Sequence, residues 1–353
     1  MFVQDSDRQE WISNCVGAAG LLARGGLTAA ILCGVLLVVN AWLVEPLADP
    51  QASARSQPRN SVLSLRPASD GRSVWTTGHP SRWQQIDLAT GSVIESEQIQ
   101  SNLIDGLQLD ADGLHLVYGG LRGEVWIRER EAAASTAAIL PDALHDQPRF
   151  ALCPHGGWLV LESAGTLELW TLDGSPRRLV RARIGSAVSA LAWNPAGSHV
   201  LVVSSEGHLL LYEKESLSLV QTARIPAGSG LRATWSADGQ WVLVYGQFGA
   251  MQLWSVGAES AAVRSFPRGF QSAAALSRQG DWLAYGDELG RLWLISVRNP
   301  AQRHLLGRTD SLASAACFTH EGDRLLIGTQ GGELLCWSVP DRTLEWRVSP
   351  YAL

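Results

Sequence analysis

Seven copies of one 42-residue pattern, strand-like runs between Gly/Asp/Ser turns, and an uncharged 20-residue run near the N-terminus together predict the fold class. It is all-β: a seven-bladed β-propeller preceded by a single N-terminal transmembrane helix. The chain divides accordingly into a flank (1–24), the helix (25–44), a linker (45–59) and the propeller (60–353).

The membrane segment comes first. Residues 25–44 carry no charge, and as a helix they cover roughly 30 Å, the hydrocarbon thickness of a bilayer. Arg24 and Glu45 bracket the run, and Trp42 sits where an interfacial aromatic belongs. A buried soluble helix has no place in an all-β ring. A cleaved signal peptide calls for a shorter apolar region and a nearby small-x-small site, whereas Ala52-Ser53-Ala54 lies well beyond the apolar end. A lipoprotein site at Cys33 lacks the small residues such sites prefer, because Ala30-Ile31-Leu32 precede it. Arg24 abuts the helix while Glu45 and Asp49 lie opposite, which favours a cytoplasmic flank and an extracytoplasmic propeller. The reverse orientation, with a cytoplasmic propeller, is the alternative. Pro46, Pro50 and Pro58 among polar residues make 45–59 an extended linker.

The propeller repeat is anchored on Ile86, Arg128, Trp170, Tyr212, Trp254, Ile295 and Trp337, spaced 42 residues apart except for one gap of 41. A turn glycine falls 15 residues before six anchors: Gly71, Gly113, Gly197, Gly239, Gly280 and Gly322. In the third copy, Gly156 falls 14 before Trp170. Strands of about five residues, rich in Val, Leu, Trp and Tyr, flank each turn. No sustained 3.6-residue periodicity follows residue 60, so helices are not expected there. One such sheet buries too little apolar surface to offset its chain entropy, and face-to-face stacking in a closed ring solves that.

Ala192-Trp-Asn-Pro-Ala-Gly197, Thr234-Trp-Ser-Ala-Asp-Gly239 and Cys317-Phe-Thr-His-Glu-Gly322 stand where the WD-repeat propeller family has Phe-Ser-Pro-Asp-Gly. Leu169-Trp170, Leu253-Trp254 and Cys336-Trp337 stand at its Trp-Asp position. Residues 60–353 therefore resemble that family. The residue after the anchor is acidic in three copies (Asp87, Glu129, Glu213), and the family's Gly-His pair is absent. The family's Asp–His–Ser–Trp network is not carried over, so Trp, Leu and Val packing is expected to hold the blades together. Family members usually lend an N-terminal strand to the last blade. Here the first unit begins at an inner strand and the last has its own outer one, so closure is expected in register, through side-chain packing between the first and seventh blades. An extra edge strand from residues 50–58 is the alternative, and Pro50 and Pro58 argue against it.

Composition narrows the function. Asp5, Asp7 and Glu10 against Arg8 and Arg24 leave most of the net charge of −6 on the propeller, a poor balance for nucleic-acid binding. Five cysteines without a CxxC indicate neither zinc nor a disulfide framework. Asp110-Ala-Asp112-Gly113 begins like a calcium loop, but Leu121 stands where a bidentate Glu is needed, so a β-turn is expected. His320-Glu321 lacks a second histidine. There is no Gly-x-Ser-x-Gly and no phosphate-cradling loop. No catalytic residue, metal, cofactor or small-molecule substrate is expected. Arg177, Arg178, Arg181 and Arg183 cluster on an outer strand, where charge discourages strand addition; docking of an acidic partner is the sharper account.

The favoured function is a membrane-tethered scaffold. The resemblance implies protein or peptide binding on the face made by second-to-third-strand turns and inter-blade loops. Those loops hold Arg122, Phe248, Phe270, Gln271, Asp287, Glu288 and Gln330, with Phe248 and Phe270 as the aromatic anchors. The competing reading is an enzyme or ligand sensor in the central channel; a permanent subunit of a membrane assembly is the third. Inner strands such as Ser189-Ala-Leu-Ala192 and Ser272-Ala-Ala-Ala-Leu276 are small and apolar, with Arg149 and Arg232 as the expected charges near the mouth.

Overall fold

The computed structural model describes residues 61–79, 81–99, 107–119, 124–130, 136–139, 149–173, 175–226, 231–246, 250–257, 263–268 and 271–351. The flank, the transmembrane helix expected over 25–44 and the linker lie outside the described residues. Among those described, no helix is long and apolar enough to cross a membrane.

Seven four-stranded antiparallel sheets form, each from one uninterrupted run of chain and each with its strands in sequence order. The first blade holds β1 (Val62–Pro67), β2 (Ser73–Gly78), β3 (Arg82–Asp87) and β4 (Val93–Gln98); the second β5 (Gln108–Leu109), β6 (His115–Gly119), β7 (Val125–Glu129) and β8 (Thr136–Ile139). The third holds β9 (Arg149–Leu152), β10 (Trp158–Ser163), β11 (Thr166–Thr171) and β12 (Arg177–Arg183); the fourth β13 (Val188–Trp193), β14 (His199–Ser204), β15 (His208–Glu213) and β16 (Leu219–Arg224). The fifth holds β17 (Arg232–Trp235), β18 (Trp241–Tyr245), β19 (Ala250–Ser255) and β20 (Val263–Arg268); the sixth β21 (Gln271–Leu276), β22 (Trp282–Asp287), β23 (Arg291–Ser296) and β24 (Arg303–Arg308). The seventh holds β25 (Ala313–Phe318), β26 (Arg324–Thr329), β27 (Leu334–Ser338) and β28 (Leu344–Val348).

Every repeat anchor is the penultimate residue of its blade's third strand. At Ile86, Trp170, Tyr212 and Trp337 the pairing with the fourth strand shifts register, so the anchor side chain sits at a β-bulge that re-aims the outer edge. The turn between first and second strands is the same device seven times. The amide of the turn glycine donates to the carbonyl three residues earlier, as Gly71 to Ala68 and Gly322 to Thr319 do, and all seven glycines have φ between +65° and +77°. In five blades the side-chain oxygen of that earlier residue also clamps the turn: Asp110, Asn194, Ser236, Ser277 and Thr319 each accept a backbone N–H four or five residues on. The one-residue deficit of the third repeat has a local cause. Its β10–β11 hairpin turns on two residues, Ala164 (φ 50°) and Gly165 (φ 73°), whereas β14–β15 uses three.

The core lies between blades. Apolar clusters fill the junctions, for example Leu169 and Val160 against Trp193 and Val202 between the third and fourth blades, and Ala284 and Leu294 against Ile327 and Leu335 between the sixth and seventh. The ring closes in register, with no strand exchanged among the described residues. Val74, Ile86 and Leu88 pack on Leu326, Leu334 and Cys336, and Val62 packs with Ala315 and Tyr351. Hydrogen bonds cross the same seam. Trp346 Nε1 donates to Leu88 O (2.9 Å), Gln84 Nε2 to Pro350 O (2.9 Å), and Tyr351 Oη and Thr76 Oγ1 share one at 2.7 Å. Indoles also tie other blades together: Trp75 Nε1 donates to Ala111 O and Trp193 Nε1 to Ala151 O. Packing between blades is therefore supplemented by Trp-to-backbone hydrogen bonds.

Candidate interaction surface

Antiparallel pairing fixes what each face of the ring carries. The start of every first strand lies beside the end of its second strand, as Gln271 does beside Asp287. One face therefore collects the second-to-third-strand turns and the entries to the inner strands. The opposite face collects the first-to-second-strand turns.

Of the residues expected on the first face, Arg122, Phe248 and Phe270 lie outside the described residues. Gln271 opens β21. Asp287 ends β22 but is only 8% exposed, and its carboxylate is occupied by its own hairpin. It accepts from Leu289 N (2.9 Å), Arg291 N (3.0 Å), Arg291 Nε (2.7 Å) and Trp293 Nε1 (3.0 Å). Burial opposes its ionisation, but the bonds from Trp293 and Arg291 outweigh that and hold the carboxyl below its ordinary value. Asp287 thus rigidifies the turn. Glu288, at the tip of that turn, is exposed, and Gln330 is exposed in the β26–β27 turn. The amide of Gln330 donates to Leu312 O and that of Gly331 to Ser311 Oγ, which fixes the turn against the entry to β25. Thr309 bridges the two blades on this face: its Oγ1 lies 3.0 Å from Gly290 O and 2.7 Å from Ser311 O.

Leu289 was not among the expected site residues. It is 50% exposed beside Glu288, on a turn locked by Asp287. The available signal was a leucine inside an otherwise polar turn, Asp287-Glu288-Leu289-Gly290. The described part of this face thus offers an apolar tip flanked by a carboxylate and, one blade on, an amide side chain.

The arginine cluster falls on the outer strand β12, as expected. Arg178 pairs with the buried Glu168 at 2.7 Å and Arg181 approaches it at 3.7 Å, so part of that charge is spent within its own sheet. The Asp110 loop is a turn, with its carboxylate bound to His115 Nδ1 at 2.7 Å. Among the described residues no group of three His, Cys, Asp or Glu side chains is placed to hold a metal ion. Cys153, Cys317 and Cys336 are free thiols, and burial raises all three, Cys336 to about 12.

Known proteins with related features bear on this geometry. The β-propeller domain of Cps50 (Swd1) from Myceliophteria thermophila superposes with a TM-score of 0.61 over 79% of this chain and 96% of its own, at 14% identity. The fold is a seven-bladed β-propeller. Mouse Coronin-7 is 32% identical over 83 residues, which is 23% of this chain and 9% of that protein. Tricorn protease homolog 1 of Streptomyces coelicolor is 25% identical over 225 residues, 57% of this chain and 21% of that protein. The chain spans less than a quarter of the length of either curated relative. No family model matches it.

Proposed function

We propose that this chain is a membrane-tethered, non-catalytic scaffold that captures a protein or peptide partner on the face bearing Glu288, Leu289 and Gln330. WD-repeat propellers generally bind protein partners, and that is the first support. The observation that carries the reading is Leu289: an apolar side chain half-exposed on a hairpin tip that four hydrogen bonds to the Asp287 carboxylate hold rigid. A pre-ordered apolar tip loses little side-chain and loop entropy on docking. Phe248 and Phe270, placed on the same loops by sequence, are the companion anchors. Residues 25–44 supply the tether, with the propeller on the extracytoplasmic side.

The test is quantitative capture from detergent-solubilised membranes. Leu289→Asp, and separately Phe248→Ala with Phe270→Ala, are each expected to lower recovery of a stoichiometric partner about tenfold while thermal unfolding stays nearly unchanged. Undiminished capture by both variants refutes the face. A drop of several kcal/mol in the stability of the double variant places its aromatics in the core instead. Protease access to the propeller in sealed spheroplasts reads the orientation: full protection refutes the extracytoplasmic placement.

A further inference from the structure

The inner strands line a central cavity of about 930 Å³ that includes the first-to-second-strand turns. That size falls within the range of small-molecule sites. Aligning the blades on their turn glycines places one wall residue per blade five positions earlier: Arg66, Gln108, Ala151, Ala192, Thr234, Ala275 and Cys317. Five of these are small. Gln108 is long but spent, since its Nε2 donates to Phe150 O (3.1 Å) and its Oε1 accepts from Leu152 N (2.9 Å). Arg66 is long and unspent. Its guanidinium makes no hydrogen bond or ion pair with a described residue, and its Nη1 is shielded from bulk solvent. The sequence places Arg149 and Arg232 as the charges near the mouth, and Arg66 adds a charge on the cavity wall itself. Arg149 and Arg232 open β9 and β17 at the other face, where Arg149 Nη1 donates to Ser189 O.

The neighbours of Arg66 do not satisfy it. Asp110 is electrostatically close, but its carboxylate accepts from Leu114 N, His115 N and His115 Nδ1. Around the rim, Asp70 caps its own turn, Asp323 accepts from Thr319, and Glu321 pairs with Arg278, while Arg324 is taken up by the outer-strand Glu345; Asp112 carries no such partner. Two wall residues retain shielded, unpartnered polar atoms, Arg66 Nη1 and Trp235 Nε1, and both atoms are donors. A buried donor without an acceptor is costly, and a guanidinium fork matches a planar or tetrahedral oxoanion. We propose that the central cavity binds a small oxoanion, a carboxylate or phosphate solute, through the guanidinium of Arg66. This goes beyond the scaffold reading and stands without it.

Isothermal titration of the purified full-length chain in mild detergent tests the site, with inorganic phosphate and citrate as the probes. Saturable binding of one of them at one site per chain is expected, and which probe binds distinguishes the two anion classes. Arg66→Gln should weaken that binding about tenfold or more with unfolding unchanged, whereas Arg149→Gln at the opposite mouth should leave it intact. If Arg66→Gln does not fold, Thr234→Glu decides the matter by adding negative charge to the cavity wall, and the same weakening is expected. Failure of the wild-type chain to bind either probe saturably overturns the proposal. So does unchanged affinity in Arg66→Gln or, where that variant does not fold, in Thr234→Glu.

Discussion

One aromatic side chain, Tyr351, joins packing and a hydrogen bond at the seam between the first and last blades. Tyr351 is 1% exposed, packs with Val62 and Ala315, and bonds Thr76, itself fully buried, at 2.7 Å. Burial also raises the phenol above its ordinary value, so it stays protonated and able to donate. Tyr351→Ala deletes a buried ring and is expected to cost about 3–5 kcal/mol. Tyr351→Phe keeps the ring and strands the Thr76 hydroxyl, for about 1–2 kcal/mol. Thr76→Val removes the other partner, and in the double variant neither group is left unsatisfied. The double change should therefore cost less than the sum of the singles, by about 1 kcal/mol. Urea unfolding of the full-length chain, followed by the fluorescence of its 15 tryptophans, measures all four corners of the cycle. A cost below about 1 kcal/mol for Tyr351→Ala, on the scale of a surface substitution, would show that the seam is held by the blade faces alone. Strict additivity of Tyr351→Phe and Thr76→Val would dismiss the hydrogen bond.

Two further outcomes follow from the turns. Gly71 and Gly113 share nearly the same positive φ, but a Cβ at Gly71 meets nothing within 4 Å whereas one at Gly113 overlaps the Trp75 ring. Gly71→Ala should cost about 1–2 kcal/mol from backbone strain alone, and Gly113→Ala about 1–3 kcal/mol more from overpacking; equal midpoints in urea would contradict the packing. The hydrogen bond to Asp110 raises His115 above its ordinary value despite opposing burial. The stabilisation from the protonated pair is then complete below the unfolded value near 6.5, and it fades as pH climbs through the elevated folded value. Melting temperature recorded from pH 5.5 to 8.5 should lose that component in Asp110→Asn; an unaltered profile would exclude the pair as its source.

Much of this architecture was readable because the blades are local. Anchor spacing, turn glycines and strand alternation all lie within 42 residues of one another, and the structure places every anchor at one strand position. The seam was readable only as a kind of contact: Tyr351 and Thr76 are 275 residues apart, and no short-range pattern joins them. The surface was partly readable. Glu288 and Gln330 are exposed on their turns, but an Asp ending a strand carries no mark showing whether it faces a partner or its own hairpin, and Asp287 faces its hairpin. Sequence reasoning did not single out Arg66, although aligning the repeats on their turn glycines sets it as the long cation in a layer of mostly small residues. Its significance emerged once the neighbouring carboxylates were seen to be engaged elsewhere.

Each paddle of this wheel is spelled by a single contiguous stretch, and among the described residues no strand is borrowed from a distant part of the polypeptide. The molecule is therefore modular at the level of its coding text. Duplicating or excising one unit would widen or narrow the hub without rethreading any sheet. Such an event would change the bore around Arg66 while leaving the edge of every surviving unit as it is now.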